Sequence, residues 1–135
     1  MMKLIKSEII ELSEPFDIVK ARQRVRELAR EVGFSLVDQT KLVTACSELA
    51  RNTYEYGSEG SVQIEIIEDY DRLGLRMVFT DKGPGIINID LALTDGYSTS
   101  NGLGLGLSGS RRLVNEFEIT SKLGEGTTIK ATRWR

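Results

Sequence analysis

The chain has 135 residues, 40% of them hydrophobic, with a net charge of −2, one cysteine and no histidine. That length suits a single domain, 1–135, with a core large enough to fold without staples. The composition excludes a Ser-His-Asp triad, a histidine-ligated metal, a phosphohistidine carrier, an internal disulfide and a multi-cysteine zinc site, and the charge argues against a general nucleic-acid binder.

No stretch approaches the ~20 apolar residues of a membrane span. Glu8 interrupts the N-terminal run where a signal peptide would stay apolar, so a cytoplasmic, reducing location is expected. Residues 3–12 read as a strand, with Leu4, Ile9, Ile10 and Leu12 as its apolar members. Ser13 is a candidate cap and Pro15 suits a first helical turn. Ile18, Ala21, Val25, Leu28 and Val32 then recur every three or four residues, and Gly33 ends that helix.

Ser35 opens a second helix, with Asp38 three residues on as in a capping box with the shorter acid. It runs to about Gly57 with Leu36, Val43, Cys46, Leu49 and Ala50 as its apolar stripe. Residues 61–68 and 73–80 are two strands joined by a polar turn at 69–72, an antiparallel hairpin. A turn and loop segment spans 81–103. A third helix is predicted over 105–117, with Leu107, Leu113, Val114 and Phe117 as core candidates. Residues 117–122 and 127–134 form a last hairpin around Gly124 and Gly126. This order implies an α+β fold: a two-layer sandwich with a mixed, mostly antiparallel sheet and helices on one face.

Three motifs carry the chemistry. Glu48 and Asn52 are four apart on the second helix and share a face with Lys41, Ala45 and Glu55. An isolated pair of this kind is usually a solvated face. Its chemical reading is a carboxylate that accepts a proton from a hydroxyl or water and an amide oxygen that ligates Mg²⁺. Asp81 ends a strand and is followed by Gly83, Pro84 and Gly85. These are ordinary turn residues, but a turn needs only one of the glycines. A buried carboxylate there can accept from an exocyclic amine while glycine backbone lies against a purine.

Seven of the 13 glycines fall between positions 83 and 109, which points to close backbone approach to a ligand. Among them, Gly104, Gly106 and Gly109 spell G-x-G-x-x-G. The dinucleotide reading fails, because no strand precedes the motif and no further crossover follows it. A glycine segment opening a helix can instead present backbone N–H groups to an anion. The small polar run 96–101 before it suits a lid over phosphates. Thr127, after Gly126, is within reach of such a pocket. Arg111 and Arg112 read as surface residues rather than a phosphate clamp.

The ordered set, 48–52, 81–85 and 102–107, resembles the GHKL superfamily, whose ATP pocket is the Bergerat fold. The resemblance spans about residues 36–132. Within the superfamily, the segments 95–107 and 111–117 with Trp134 are most similar to the small bacterial serine/threonine kinases of the anti-sigma type, in the RsbT-like branch of stressosome switch kinases. The resemblance implies ATP and Mg²⁺ as cofactors. It implies Glu48 as general base, Asn52 as Mg²⁺ ligand, Asp81 on the adenine amine, and Gly102, Gly104 and Gly106 around the triphosphate. It also implies a STAS-domain protein as substrate and a PP2C-type phosphatase as a second partner.

Anti-sigma relatives often carry a histidine four residues after the asparagine. Tyr56 stands there, which points to the switch-kinase branch and away from direct sigma-factor binding. The competing readings are an anti-sigma factor that sequesters a sigma subunit with nucleotide as switch, a detached histidine-kinase ATPase domain, and an adaptor without turnover. The lack of histidine and of dimerisation helices disfavours the second of these, and intact Glu48 and Asn52 disfavour the third.

Overall fold

The computed structural model describes residues 1–56, 60–83 and 107–135. The elements in chain order are β1 (Met2–Glu11), α1 (Pro15–Val32), α2 (Leu36–Tyr56), β2 (Gly60–Asp69), β3 (Arg72–Asp81), α3 (Leu107–Arg112), β4 (Glu116–Lys122) and β5 (Gly126–Trp134). The strands form one sheet in the order β1-β2-β3-β5-β4, and each of these pairings is antiparallel. α1 and α2 pack against each other and on one face of that sheet, giving the two-layer α+β architecture.

Helix α1 follows from its sequence period. Ala21, Val25, Leu28, Ala29 and Val32 are buried, as a stripe every three to four residues demands. Its start differs by one residue from the expectation. Glu14, not Ser13, occupies the cap position. The buried Asp17 carboxylate accepts from the backbone N–H groups of Ser13 (3.0 Å) and Glu14 (3.1 Å) and from the Ser13 hydroxyl (3.3 Å). Ser13 therefore donates to the cap rather than forming it, and these donors hold the Asp17 carboxyl below its ordinary range. Gly33 ends the helix at φ +98°, with its N–H on the carbonyls of Ala29 and Arg30, a left-handed stop that glycine adopts without strain.

Ser35 caps α2, its hydroxyl accepting the Asp38 N–H at 3.1 Å. The Asp38 carboxylate turns to Arg133 on β5 at 2.7 Å. The apolar arc of α2 is wider than one stripe, because α1, the sheet and α3 all contact it. Leu42, Ala45, Cys46, Leu49 and Ala50 are fully buried. Two sequence expectations are thereby corrected: Ala45 belongs to the core and not to the polar face, and Leu36, in the first turn, is 74% exposed.

On the helix side of the sheet, Val62 opposes Phe79, Ile64 opposes Met77 and Ile66 opposes Leu75 across β2 and β3. Ile129 and Ala131 of β5 continue that buried layer. On edge strand β1, Leu4 and Ile9 are exposed, Ile10 is half-buried, and Leu12 just past its end is buried. β1 therefore contributes less to the core than its composition suggests, having a paired neighbour on one side only.

The third helix ends earlier than the predicted 117. It ends at Arg112, where the Leu113 N–H closes a turn on the Ser110 carbonyl (3.0 Å) and the Asn115 N–H bonds the Thr132 carbonyl (2.8 Å). Pairing with β5 draws the chain into β4. Val114 is still buried and Phe117 still packs on the core, but Phe117 does so from a strand.

Candidate nucleotide site

Helix α2 carries Glu48 and Asn52, both half-buried. The Glu48 Oε1 lies 3.4 Å from Arg51 Nη1, and its side chain keeps 35% of its exposure. Such an exposed ion pair contributes little and exchanges easily with solvent or ligand. One residue past Asn52, Thr53 is buried and donates its hydroxyl to the Leu49 carbonyl at 2.8 Å. Its methyl group fills the space that a Cβ on Gly60 would need. Glycine at the start of β2 thus lets the last turns of α2 lie against the sheet.

Gly60 is the register partner of Asp81, the last residue of β3, and Asp81 pairs on its other side with Thr127 of β5. A Cβ on Gly60 would also stand 3.7 Å from the Asp81 Cβ. The contact between Thr53 and Gly60 therefore brings the Asn52 turn of α2 beside the Asp81 end of the sheet. Asp81 Oδ1 accepts the Gly83 N–H at 2.9 Å. Burial pushes the Asp81 carboxyl above its ordinary range, against the opposing effect of hydrogen bonds from the backbone of Gly83 and Thr127. Gly83 itself is buried.

The far side of Asp81 is built by the β4–β5 hairpin. Gly126 has φ +101°, and a Cβ there would collide with the Asp81 carbonyl oxygen and the Lys82 backbone. Only glycine meets both demands. Thr127 is buried, its hydroxyl 2.9 Å from that of Ser121, and Ser121 donates to the Gly126 carbonyl at 3.2 Å. A half-buried carboxylate with adjacent close-packed glycine backbone and an oriented hydroxyl can accept hydrogen bonds from the edge of a heterocycle.

The structure thus gathers Asp81, Gly83 and Thr127 at one end of the central strands and seats the α2 turn holding Asn52 beside them, with Glu48 one turn earlier. Gly85, Gly102, Gly104 and Gly106 lie outside the described residues, as does the expected lid at 96–101. Arg111 and Arg112 are exposed on α3. Thr53, Gly60 and Ser121 also build this end of the site and belong to none of the three sequence motifs. Gly60 did carry a signal, a glycine opening an otherwise apolar strand, which marks close backbone approach. Ser121 and Thr127 carried a weaker one, being equidistant from the tip of a hairpin.

No group of three His, Cys, Asp or Glu residues among the described residues could hold a metal ion. The side-chain donors here, one amide and scattered carboxylates, suit a cation that is bound mostly through phosphate oxygens and water.

Residues 37–134 match the family of histidine kinase-, DNA gyrase B- and HSP90-like ATPases, and the chain belongs to that family. It is 47% identical over 125 residues, 93% of this chain and 94% of the relative, to the serine/threonine-protein kinase RsbT of Bacillus subtilis (strain 168). Within the family it is an RsbT-like serine/threonine-protein kinase. Anti-sigma F factor of Bacillus thuringiensis (strain Al Hakam) is more distant, 28% identical over 84% of this chain and 82% of that protein. In fold, the chain is similar to a Mycobacterium tuberculosis structure of RsbU and RsbW domains, with a TM-score of 0.66 and 21% identity. That match covers 97% of this chain and 33% of the other. The mycobacterial sensor histidine kinase MprB gives a TM-score of 0.56 at 18% identity over 96% of this chain.

Proposed function

We propose that this kinase transfers the γ-phosphoryl group of ATP to a serine or threonine of a STAS-domain partner in a bacterial stress or sigma-factor partner-switching pathway. The observation that carries the reading is the seating of α2 beside Asp81 through Thr53 and Gly60, which joins the catalytic helix to the base-recognition end of the sheet. In this reading Asp81 accepts the adenine amine, with Gly83 and Gly85 leaving room for the ring and Thr127 oriented by Ser121. Gly102, Gly104 and Gly106 present backbone N–H groups to the phosphates.

Mg²⁺ would be held by Asn52 and phosphate oxygens, and would neutralise charge on the transferring group. Glu48 takes the proton from the attacking hydroxyl. The partner brings that hydroxyl, so in-line geometry comes from docking. The likeness to RsbT fits work in the cytoplasm on protein partners, and the net charge of −2 fits protein rather than nucleic acid as the partner. Binding and activation of a PP2C-type phosphatase is a further role that the likeness to RsbT suggests.

The test is transfer of labelled phosphate from ATP to a purified STAS-domain protein, with the modified residue located by mass spectrometry. Label on a serine or threonine, lost in Glu48→Gln, is the expected result. The likeness to anti-sigma F factor favours one other reading, a sigma-binding switch. A protein that binds ATP and a sigma subunit but transfers phosphate to no STAS partner would establish that reading instead.

A further inference from the structure

Arg51 follows Glu48 by three residues on α2 and directly precedes Asn52, and its side chain is 48% exposed. Its Nη1 lies 3.4 Å from Glu48 Oε1. Among the described residues that carboxylate is the only ion-pair or hydrogen-bond partner of the guanidinium. An arginine presents five N–H donors in a planar fork, so one that gives a single donor to Glu48 can still receive a second anion.

The three residues divide the surface of α2. At about 100° per residue, Asn52 lies about 40° to one side of Glu48 and Arg51 about 60° to the other. The fully buried Ala45, Leu49 and Leu42 continue round the helix on the Asn52 side. Asn52 therefore leans toward the core, where the contact of Thr53 with Gly60 seats its turn beside Asp81, and Arg51 leans toward solvent. With adenine at Asp81, the nucleotide occupies the Asn52 flank. In phosphoryl transfer the attacking and leaving oxygens lie roughly in line. The hydroxyl must then arrive opposite the leaving ADP, on the flank that carries Arg51.

A hydroxyl oxygen ~3 Å from the Glu48 carboxylate is within roughly 6–7 Å of the Arg51 guanidinium. Side chains one or two residues from that hydroxyl come within reach of the fork. We infer that Arg51 is a specificity-determining residue of the kinase: its guanidinium takes the carboxylate of an aspartate or glutamate next to the accepting serine or threonine. The inference rests on the site reading proposed above, with Glu48 as the base and the nucleotide on the Asn52 side. Docking of the partner removes water from the pair, which strengthens a charge-assisted bond. In the free chain the exposed contact to Glu48 contributes little to stability, so loss of Arg51 leaves the fold intact.

The experiment uses the full chain and a purified STAS-domain protein that the wild-type kinase labels, with the accepting residue mapped. KM for the partner, kcat and calorimetric ATP affinity are measured for wild type, Arg51→Met and Arg51→Lys. Each kinase meets the native partner and a partner whose acidic residues within two positions of the acceptor are changed to their amides. Arg51→Met should raise KM for the native partner roughly 10- to 100-fold, the worth of a hydrogen bond to a charged group, with kcat and ATP affinity near wild type. Arg51→Lys should restore part of the loss, since it keeps the charge without the fork. The amide partner should weaken wild type about as much and weaken Arg51→Met no further.

An unchanged KM for the partner in Arg51→Met would overturn the inference, as would equal losses against the native and amide partners. A fall in kcat at unchanged KM would overturn it too, making Arg51 a support for Glu48 instead. So would a labelled partner with no acidic residue within two positions of the acceptor. Glu48→Gln, run alongside, separates the two readings. Transfer lost there, with KM for the partner unchanged in Arg51→Met, removes only the recognition role. Transfer at the wild-type rate in Glu48→Gln, or a wild-type chain that labels no STAS-domain protein, removes the site reading and the recognition role with it.

Discussion

The methyl group of Thr53 occupies the volume that a side chain on Gly60 would fill. These residues meet at the corner where the end of α2 rests on the start of β2, next to Asp81. A single methyl–glycine contact thus sets how closely the helix bearing Asn52 approaches the strand bearing Asp81.

Gly60→Ala should therefore be destabilising by about 1–3 kcal/mol, the usual cost of overpacking a tight site. It should also weaken ATP binding, because α2 must lift. Thr53→Ser removes the methyl and keeps the hydroxyl that bonds the Leu49 carbonyl at 2.8 Å. The double variant should recover most of the loss. Urea unfolding of the four proteins in the cycle checks this, and additive effects without recovery would show that the two residues do not share the constraint.

Asp81→Asn should separate stability from function. Burial raises the Asp81 carboxyl above its ordinary value of 3.8, so the folded chain binds that proton more tightly than the unfolded chain. The stabilisation belongs to the protonated form. It is complete below the unfolded value and is lost as pH rises through the folded one. At neutral pH the ionised carboxylate is thus a liability in the nucleotide-free protein. Asp81→Asn should raise the melting temperature at pH 7 without ATP, with the advantage shrinking as pH falls into the acid range. It should weaken ATP binding by about 1–3 kcal/mol, since an amide replaces the acceptor. Melting curves across pH and ATP calorimetry read the two halves, and a variant less stable than wild type at every pH would contradict the first.

Cys46 should be chemically silent. It is fully buried in α2, and burial pushes its thiol up to about 12, so almost no thiolate exists at neutral pH. Alkylation by iodoacetamide should proceed only through opening of the fold, and its rate should rise with urea in step with unfolding. Rapid labelling in native buffer would place Cys46 at an accessible surface.

Much of this fold can be read in the sequence where local chemistry decides it. The α1 stripe from Ala21 to Val32, the glycine stop at 33, the Ser35 cap and both hairpin turns are local features, and each stands where its residues predict. The third helix is different. Leu113, Val114 and Phe117 satisfy a helical period, but Phe117 and Ile119 equally satisfy a strand alternation. The Asn115 bond to the Thr132 carbonyl, made across 17 residues, selects the strand. Leu36 fits the apolar stripe of α2 by spacing, yet in the first turn it stands exposed, with no cover among the described residues.

The same division runs through the candidate site. Glu48, Asn52 and Asp81 stand out because their side chains carry chemistry in recognisable motifs. Gly60 and Ser121 do not, because each acts only through a partner that folding brings to it: Thr53 for the one, Thr127 for the other.

The last prediction distinguishes the two polar residues of α2. Glu48 keeps part of its surface exposed, and its one described ion pair is the weak contact to Arg51. The residues around it that make the core, Ala45, Cys46, Leu49 and Ala50, point elsewhere and are fully buried. Glu48→Gln should therefore fold and melt like wild type and bind Mg-ATP with nearly unchanged affinity. As a general base it should be missed in the transfer step, with the rate to a STAS-domain partner falling roughly 10²–10⁴-fold. Asn52→Ala removes the proposed Mg²⁺ ligand instead, so it should lose nucleotide affinity and the dependence of that affinity on Mg²⁺ together. Titrating ATP into each variant with and without Mg²⁺, then measuring single-turnover transfer, reads both effects. A Glu48→Gln protein that phosphorylates its partner at the wild-type rate would remove the base assignment, and an Asn52→Ala protein whose ATP binding still tightens with Mg²⁺ would move the metal to other ligands.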